Sequence, residues 1–253
     1  MIKVVKQGLS RFFQAEECLP RYGGQDLGVA PGGVMDQLAY SDAVKLLGRQ
    51  GNCIEFILPP VIEFSQEGTI VLSGAIYQEV LLDGQPLNFL ETYHVKAGQI
   101  LRFEQKLHGF RTCITMTSGL LEKKIDSRSY FERNPQMDPY GSVRVVPGPE
   151  YDQLANPGVF FERGWQFGLR ASSMGVELTK WGEQLHLKEE KNMISSPVAD
   201  GTVQMTPKGP FILLRDRQTI GGYPRIFNVI SADINRLAQL GPRDFVRFKL
   251  LKN

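Results

Sequence analysis

Short apolar runs alternate with Gly, Pro and Asp along this chain. Residues 53–58, 61–64, 69–73, 79–82, 100–103 and 111–116 are rich in β-branched and aromatic side chains. They recur about every ten residues, a spacing that predicts an antiparallel all-β sandwich or barrel. The pattern resumes after Gly141 at 142–146, 159–167, 201–205, 211–214 and 245–248. Between the two series lies a polar stretch, 122–140, that contains Asn134-Pro135 and Asp138-Pro139. The chain therefore reads as one β-domain over 1–121, a linker over 122–140 and a second β-domain over 141–253. Leu82-Asp83-Gly84-Gln85 has the chemistry of a hairpin turn, because Asp and Gly tolerate positive φ.

Two segments switch to helical period. In 37–47, Leu38, Ala39, Ala43, Leu46 and Leu47 share a face, with Asp36 placed as N-cap and Gly48 as the C-terminal glycine. In 232–240, Ile234, Leu237 and Ala238 do the same, with Ser231 as cap and Gly241-Pro242 as stop. Each follows a glycine-rich loop, Pro31-Gly32-Gly33 or Gly221-Gly222-Tyr223-Pro224. The expectation is an all-β chain with a few short helices.

Composition narrows the function. A chain of 253 residues buries enough surface to fold without a disulfide or metal staple. Its 29 Lys+Arg and 27 Asp+Glu nearly cancel to +2, and the charge runs are mixed, so no basic stripe tracks a phosphate backbone. Nucleic acid is not an expected partner. There is no apolar stretch of membrane-spanning length, and Met1-Ile2-Lys3-Val4-Val5-Lys6 reads as a charged strand, so a soluble cytoplasmic protein with no membrane partner is expected. Cys18, Cys53 and Cys113 lack a C-x-x-C spacing and read as buried reduced thiols. His94, His108 and His186 are isolated, so no metal is predicted. P-loop and serine-elbow patterns are missing from the sequence, as is a biotin-attachment segment.

Candidate chemistry concentrates in Leu214-Arg215-Asp216-Arg217-Gln218-Thr219-Ile220-Gly221-Gly222-Tyr223-Pro224. An apolar strand there delivers a carboxylate, a guanidinium, an amide, a hydroxyl and a phenol onto a loop whose glycines let backbone N–H groups approach a ligand. The plainer alternative is a polar turn with Asp216 and Arg217 solvated and Gly221-Gly222 serving positive φ. A second cluster is Gly28-Val29-Ala30-Pro31-Gly32-Gly33-Val34-Met35-Asp36, where capping of the next helix is sufficient to explain Asp36.

These stretches, with Glu55, Gly74-Ala75, Val145-Val146-Pro147-Gly148-Pro149, Ile194-Ser195-Ser196-Pro197-Val198 and Val229-Ile230-Ser231-Ala232-Asp233, resemble the biotin-dependent carboxyltransferase-like, or allophanate hydrolase subunit 2, family. The resemblance implies two tandem cyclophilin-like β-barrel domains. It also implies the role of the C-type subunit in a 5-oxoprolinase-like hydrolase that opens a small amide with ATP, alongside A-like and B-like partner subunits. ATP is then used at the level of the complex, and biotin enters only on a separate carrier. Carried over, Asp216, Gln218 and Tyr223 are the catalytic candidates; Met35, Asp36, Arg128, Thr219, Gly221 and Gly222 are the substrate-binding ones. Two other readings stand beside this: a non-catalytic partner or regulator of a B-like subunit, and one half of a urea-type carboxyltransferase. The first of these is motivated by Ala171-Ser172-Ser173-Met174-Gly175-Val176-Glu177, which stands where relatives carry an aspartate and two arginines.

Overall fold

In this computed structural model the structure describes residues 2–118, 142–162, 164–180, 182–189 and 193–251. They fall into two compact units, Met1–Leu19 with Asp36–Gln136 and Pro20–Met35 with Met137–Asn253. Residues 20–35, placed by chain order in the first half, thus belong to the second unit. The expected linker at 122–140 lies outside the described residues.

The first unit holds two five-stranded antiparallel sheets. One runs β1 (Ile2–Lys6), β4 (Val61–Phe64), β9 (Ile100–Phe103), β6 (Val80–Leu82), β7 (Gln85–Pro86). The other runs β2 (Leu9–Phe13), β3 (Asn52–Leu58), β10 (Lys106–Ser118), β5 (Gly68–Tyr77), β8 (Thr92–Val95). The edge strands are chain neighbours: β1 leads into β2, and β7 into β8. The backbone itself therefore ties both rims together, which protects edges that otherwise invite pairing with other chains. Phe56, Phe64, Ile70, Leu72, Leu101 and Ile114 fill the interior. On the outer face α1 (Gln37–Leu47) lays Ala43, Leu46 and Leu47 against Val71. This explains why β5 is apolar at consecutive positions: Ile70 and Leu72 point inward while Val71 sits under the helix.

Both ends of α1 follow from the sequence. Asp36 Oδ1 accepts the Ala39 N–H at 3.0 Å, and Gly48 takes φ 69°. The buried face differs in detail, because Leu38 is 45% exposed while Tyr40 is buried and donates its hydroxyl to Gly51 O at 2.9 Å. Asp83 and Gly84 have φ 49° and 80°, as the β6–β7 hairpin requires.

The second unit is built on one eight-stranded sheet. Its order is β19 (Phe245–Val246), β12 (Trp165–Phe167), β13 (Gly175–Thr179), β16 (Gly209–Leu213), β15 (Thr202–Thr206), β18 (Arg225–Val229), β11 (Val143–Pro147), β20 (Phe248–Leu250). Arg247 alone separates the first strand from the last, so the sheet returns to its own start as a nearly closed barrel. A two-stranded ribbon, β14 (Ser196–Pro197) with β17 (Ile220–Gly221), stands apart from that sheet. In the core Phe160 stacks at 4.4 Å on Phe227 and 4.5 Å on Phe248, and Trp165 donates its indole N–H to Phe160 O at 3.0 Å.

Two local expectations are corrected. The apolar run 159–167 begins as a helical turn, α2 (Val159–Glu162), before becoming β12. Asn156, Pro157 and Gly158 offer carbonyls to the N–H groups of Val159, Phe160 and Phe161, and proline suits a first turn. The last helix, α3 (Ser231–Ala238), includes Ser231; Ile230 holds the cap position and makes no side-chain cap bond. Ile234, Leu237 and Ala238 are buried as the periodicity predicts.

Candidate functional site

The triplet Arg215-Asp216-Arg217 leaves β16 with both arginines turned inward and Asp216 half-buried. The arginines are 5% and 4% exposed, so the reading of Arg217 as a solvated loop residue is overturned. Their counter-charge is Asp200, a buried residue in the loop before β15. Arg217 Nε lies 2.9 Å from Asp200 Oδ1, and Arg215 Nη1 lies 3.5 Å from Asp200 Oδ2. Arg217 approaches without the alignment of a hydrogen bond, so the shorter contact is a Coulombic one. Arg215 Nε also donates to Met35 O at 3.2 Å, and Gly32 N–H donates to Arg215 O at 3.1 Å. Tyr22 donates its hydroxyl to Asp200 Oδ2 at 3.3 Å; burial first, and then the Asp200 charge, raise that phenol above its ordinary pKa.

The backbone of Asp216 is held as well. Its N–H donates to Ser173 O at 3.0 Å, and Leu214 N–H donates to Met174 O at 2.9 Å. The segment 171–177 is therefore the strand neighbour of Asp216. Next along the loop, exposed Gln218 donates its amide to buried Gln204 Oε1 at 3.4 Å, and Gln204 Nε2 donates to Tyr223 O at 3.3 Å. Thr219 is buried, and its carbonyl accepts the Val198 N–H at 3.0 Å.

Gly221 and Gly222 do not owe their identity to positive φ. A Cβ on Gly221 would stand 2.4 Å from Gln204 Nε2, so the glycine is there for close approach of β17 to that amide. Gly222 and Tyr223 line a cavity of about 750 Å³ whose far side is formed by Gln184, Leu185, His186 and Leu187 and by the β15–β16 hairpin. Asp216, Gln218 and Thr219 are not among its lining residues.

The remaining candidates separate. Met35 has its side chain in the core of the second unit, 1% exposed, and offers only its carbonyl, to Arg215. Asp36 opens α1 in the first unit at 4% exposure, its own N–H donating to Glu55 Oε1 at 3.0 Å. Arg111, also buried, shares the field of Glu55 and Asp36; burial pushes its pKa down and those carboxylates oppose the fall. Arg128 lies outside the described residues.

Sequence reasoning missed Asp200, Arg215 and Arg217 as one buried group. The only available signal was two arginines flanking an aspartate at the end of an apolar strand. The cysteines, whose sequence spacing shows no motif, nevertheless meet: Cys53 and Cys113 come together on β3 and β10 and Cys18 joins them. All three thiols are fully buried. Among the described residues, no group of three or more His, Cys, Asp or Glu is arranged to hold a metal ion.

The glycine loop before α1 offers no phosphate cradle. The Gly32 N–H is committed to Arg215 O, and the first turn of α1 carries the Asp36 carboxylate, which repels an anion. The 28–36 loop thus does not fit the phosphates of ATP. No helix of the described residues is long and apolar enough to cross a membrane.

Comparisons with known proteins agree with this architecture. The chain is 28% identical over 268 residues to the C subunit of the 5-oxoprolinase of Haemophilus influenzae, covering 91% of this chain and 86% of that protein. It is 27% identical to the C subunit of the 5-oxoprolinase of Escherichia coli, covering 95% and 88%. Among solved structures, the urea amidolyase of K. lactis shares the fold with a TM-score of 0.84 at 18% identity, over 99% of this chain. That match spans only 19% of the larger protein. A family model described as carboxyltransferase domain, subdomain A and B, matches residues 27–135 and 122–250, and the chain belongs to that family.

Proposed function

We propose that this chain is the C-type subunit of an ATP-dependent amide hydrolase of the 5-oxoprolinase kind, active only with A-like and B-like partners. The observation that carries the reading is its likeness to two proteins named as the C subunit of 5-oxoprolinase, over nearly their whole length. The site supports it chemically. Asp216 is a half-exposed carboxylate whose neighbours on both sides are clamped by Asp200, so its position is set by charges that cost energy to move. In this reading Asp216 accepts the proton of the substrate's amide N–H, and the Gln218 side chain donates to its carbonyl. ATP is held elsewhere in the complex, by one of the partners, and goes to ADP and phosphate; water adds to the lactam carbonyl carbon, the C–N bond breaks, and the nitrogen leaves as the amine of glutamate, regaining the proton held by Asp216 and taking one from the water.

The test is glutamate release from 5-oxoproline and ATP by the three-subunit complex. Asp216→Ala should lower the rate by about 100-fold or more, the contribution of a positioned acid or base. An unchanged rate would overturn the assignment. The 171–177 segment beside Asp216 favours a second reading, a non-catalytic partner of a B-like protein, which predicts a stable complex with no turnover from the unsubstituted chain.

A further inference from the structure

Residues 20–35, which belong to the second unit, contain a loop that holds its own shape. Arg21 N–H donates to Pro31 O at 2.9 Å and closes the neck. Inside, Gln25 is the hub: its Oε1 accepts the Gly23 N–H at 2.8 Å, and its Nε2 donates to Arg21 O at 3.1 Å and to Val29 O at 3.4 Å. The N–H groups of Leu27 and Val29 both donate to Gly24 O at 3.1 Å. A surface loop whose ends meet and whose bonds are internal moves as one body.

This loop is tied to the buried charge group beside Asp216. The Tyr22 hydroxyl donates to Asp200 Oδ2 at 3.3 Å, Gly32 N–H donates to Arg215 O at 3.1 Å, and Arg215 Nε donates to Met35 O at 3.2 Å. Asp200 and Arg215 are buried, whereas Tyr22 is 69% exposed. The phenol is neutral, and Asp200 keeps both arginines when it leaves, so this tie opens without stranding a buried charge. Gly32 and Gly33 take φ 66° and 87°, two successive left-handed positions that suit a hinge. That hinge lies against the candidate base, because a Cβ on Gly32 would stand 3.8 Å from Asp216 Oδ1. A swing of the loop therefore changes what stands beside the carboxylate.

We propose that Tyr22 is a positioning residue: through Asp200 it latches 21–31 as a rigid flap hinged beside Asp216, and the latched flap holds that carboxylate in its working surroundings. The flap and its latch stand on geometry alone; their effect on turnover rests on the amide-hydrolase reading.

Tyr22→Phe removes the hydroxyl and keeps the exposed ring. Hydrogen exchange of the full chain, read amide by amide by NMR, should show the Gly32 N–H exchanging about tenfold faster or more. The Leu27 and Val29 amides and the melting temperature should not change, since the bonds inside the loop survive. A Gly32 amide that does not respond, or Leu27 and Val29 amides that speed up with it, would overturn the flap. In the three-subunit complex the same variant should lower kcat for glutamate release about tenfold and leave KM for 5-oxoproline within about twofold, because the substrate's own contacts remain. If the unsubstituted complex releases no glutamate while the Gly32 amide responds as expected, the hydrolase reading falls and the latched flap stands. Glutamate release that ignores Tyr22→Phe would instead keep the hydrolase reading and overturn the positioning role.

Discussion

Asp200 carries more than its size suggests. It is the one carboxylate that the described ion pairs set against Arg215 and Arg217, and all three side chains are buried. Removing one member of such a group leaves charge in a poorly solvated place, at a cost of about 3–5 kcal/mol. Asp200→Ala should therefore lower the urea midpoint by that equivalent, whereas a solvated Asp200 would leave it unmoved. The cysteines offer a second residue-scale test. Burial, and then the neighbouring Cys53, push the Cys18 thiol up to about 12, and Cys113 is raised by its hydrogen bond with the Cys53 thiol and by burial. Since the thiolate is the reactive form, iodoacetamide should leave all three cysteines unmodified in the folded chain and label them in denaturant. Labelling of the folded protein would show that the thiols are not enclosed.

At the scale of elements, glycines govern how closely strands meet. A Cβ on Gly148, just after β11, would stand 2.1 Å from Arg225 O at the start of β18. Nothing flexible lies in that path, so the backbone of β18 must retreat. Gly148→Ala should cost at least about 2 kcal/mol, as overpacking does, and the loss should appear in thermal unfolding. The helix starts show how far local rules reach. At α1 the aspartate, the apolar period and the closing glycine agree, and the helix spans the expected residues. At α3 the serine was a plausible cap but Asp233 decides the local structure, because it takes the Arg144 backbone N–H at 2.7 Å and its guanidinium at 2.9 and 2.7 Å. A partner 89 positions away cannot be read from a window of eight residues.

For the molecule as a whole, acid stability should be set by the second unit. There Arg225 hydrogen bonds hold the Glu150 carboxyl below its ordinary range against the opposing effect of burial. Burial raises Asp233, but the bonds and charge of Arg144 outweigh it and leave that carboxyl low as well. A carboxylate whose folded pKa is depressed stabilises the fold above its unfolded value, about 4, and loses that contribution as pH falls through the folded value. Stability should thus hold at neutral pH and decline progressively below about pH 4–5. Glu150→Gln should flatten part of that decline while costing about 1 kcal/mol at pH 7, a modest figure because the pair keeps some solvent. A decline of unchanged steepness would remove Glu150 from the account.

The sequence by itself determined what depends on neighbours in the chain. Strand-length apolar runs, the Asp83-Gly84 turn and the capped helix α1 each need only a few adjacent residues, and their energies are local. The family pattern also pointed to Asp216, Gln218 and Tyr223 before any geometry was available. Only the tertiary structure decided which of these share surroundings. Barrel closure brings Asp200 to the two arginines, sets 171–177 beside Asp216, and puts Tyr223 on the same cavity as His186 and Lys208. It likewise moves 20–35 into the second unit and buries Met35. The physical reason is distance along the chain. Burial and ion pairing act between residues joined through space by β-pairing, and no local pattern encodes which strand lies next to which.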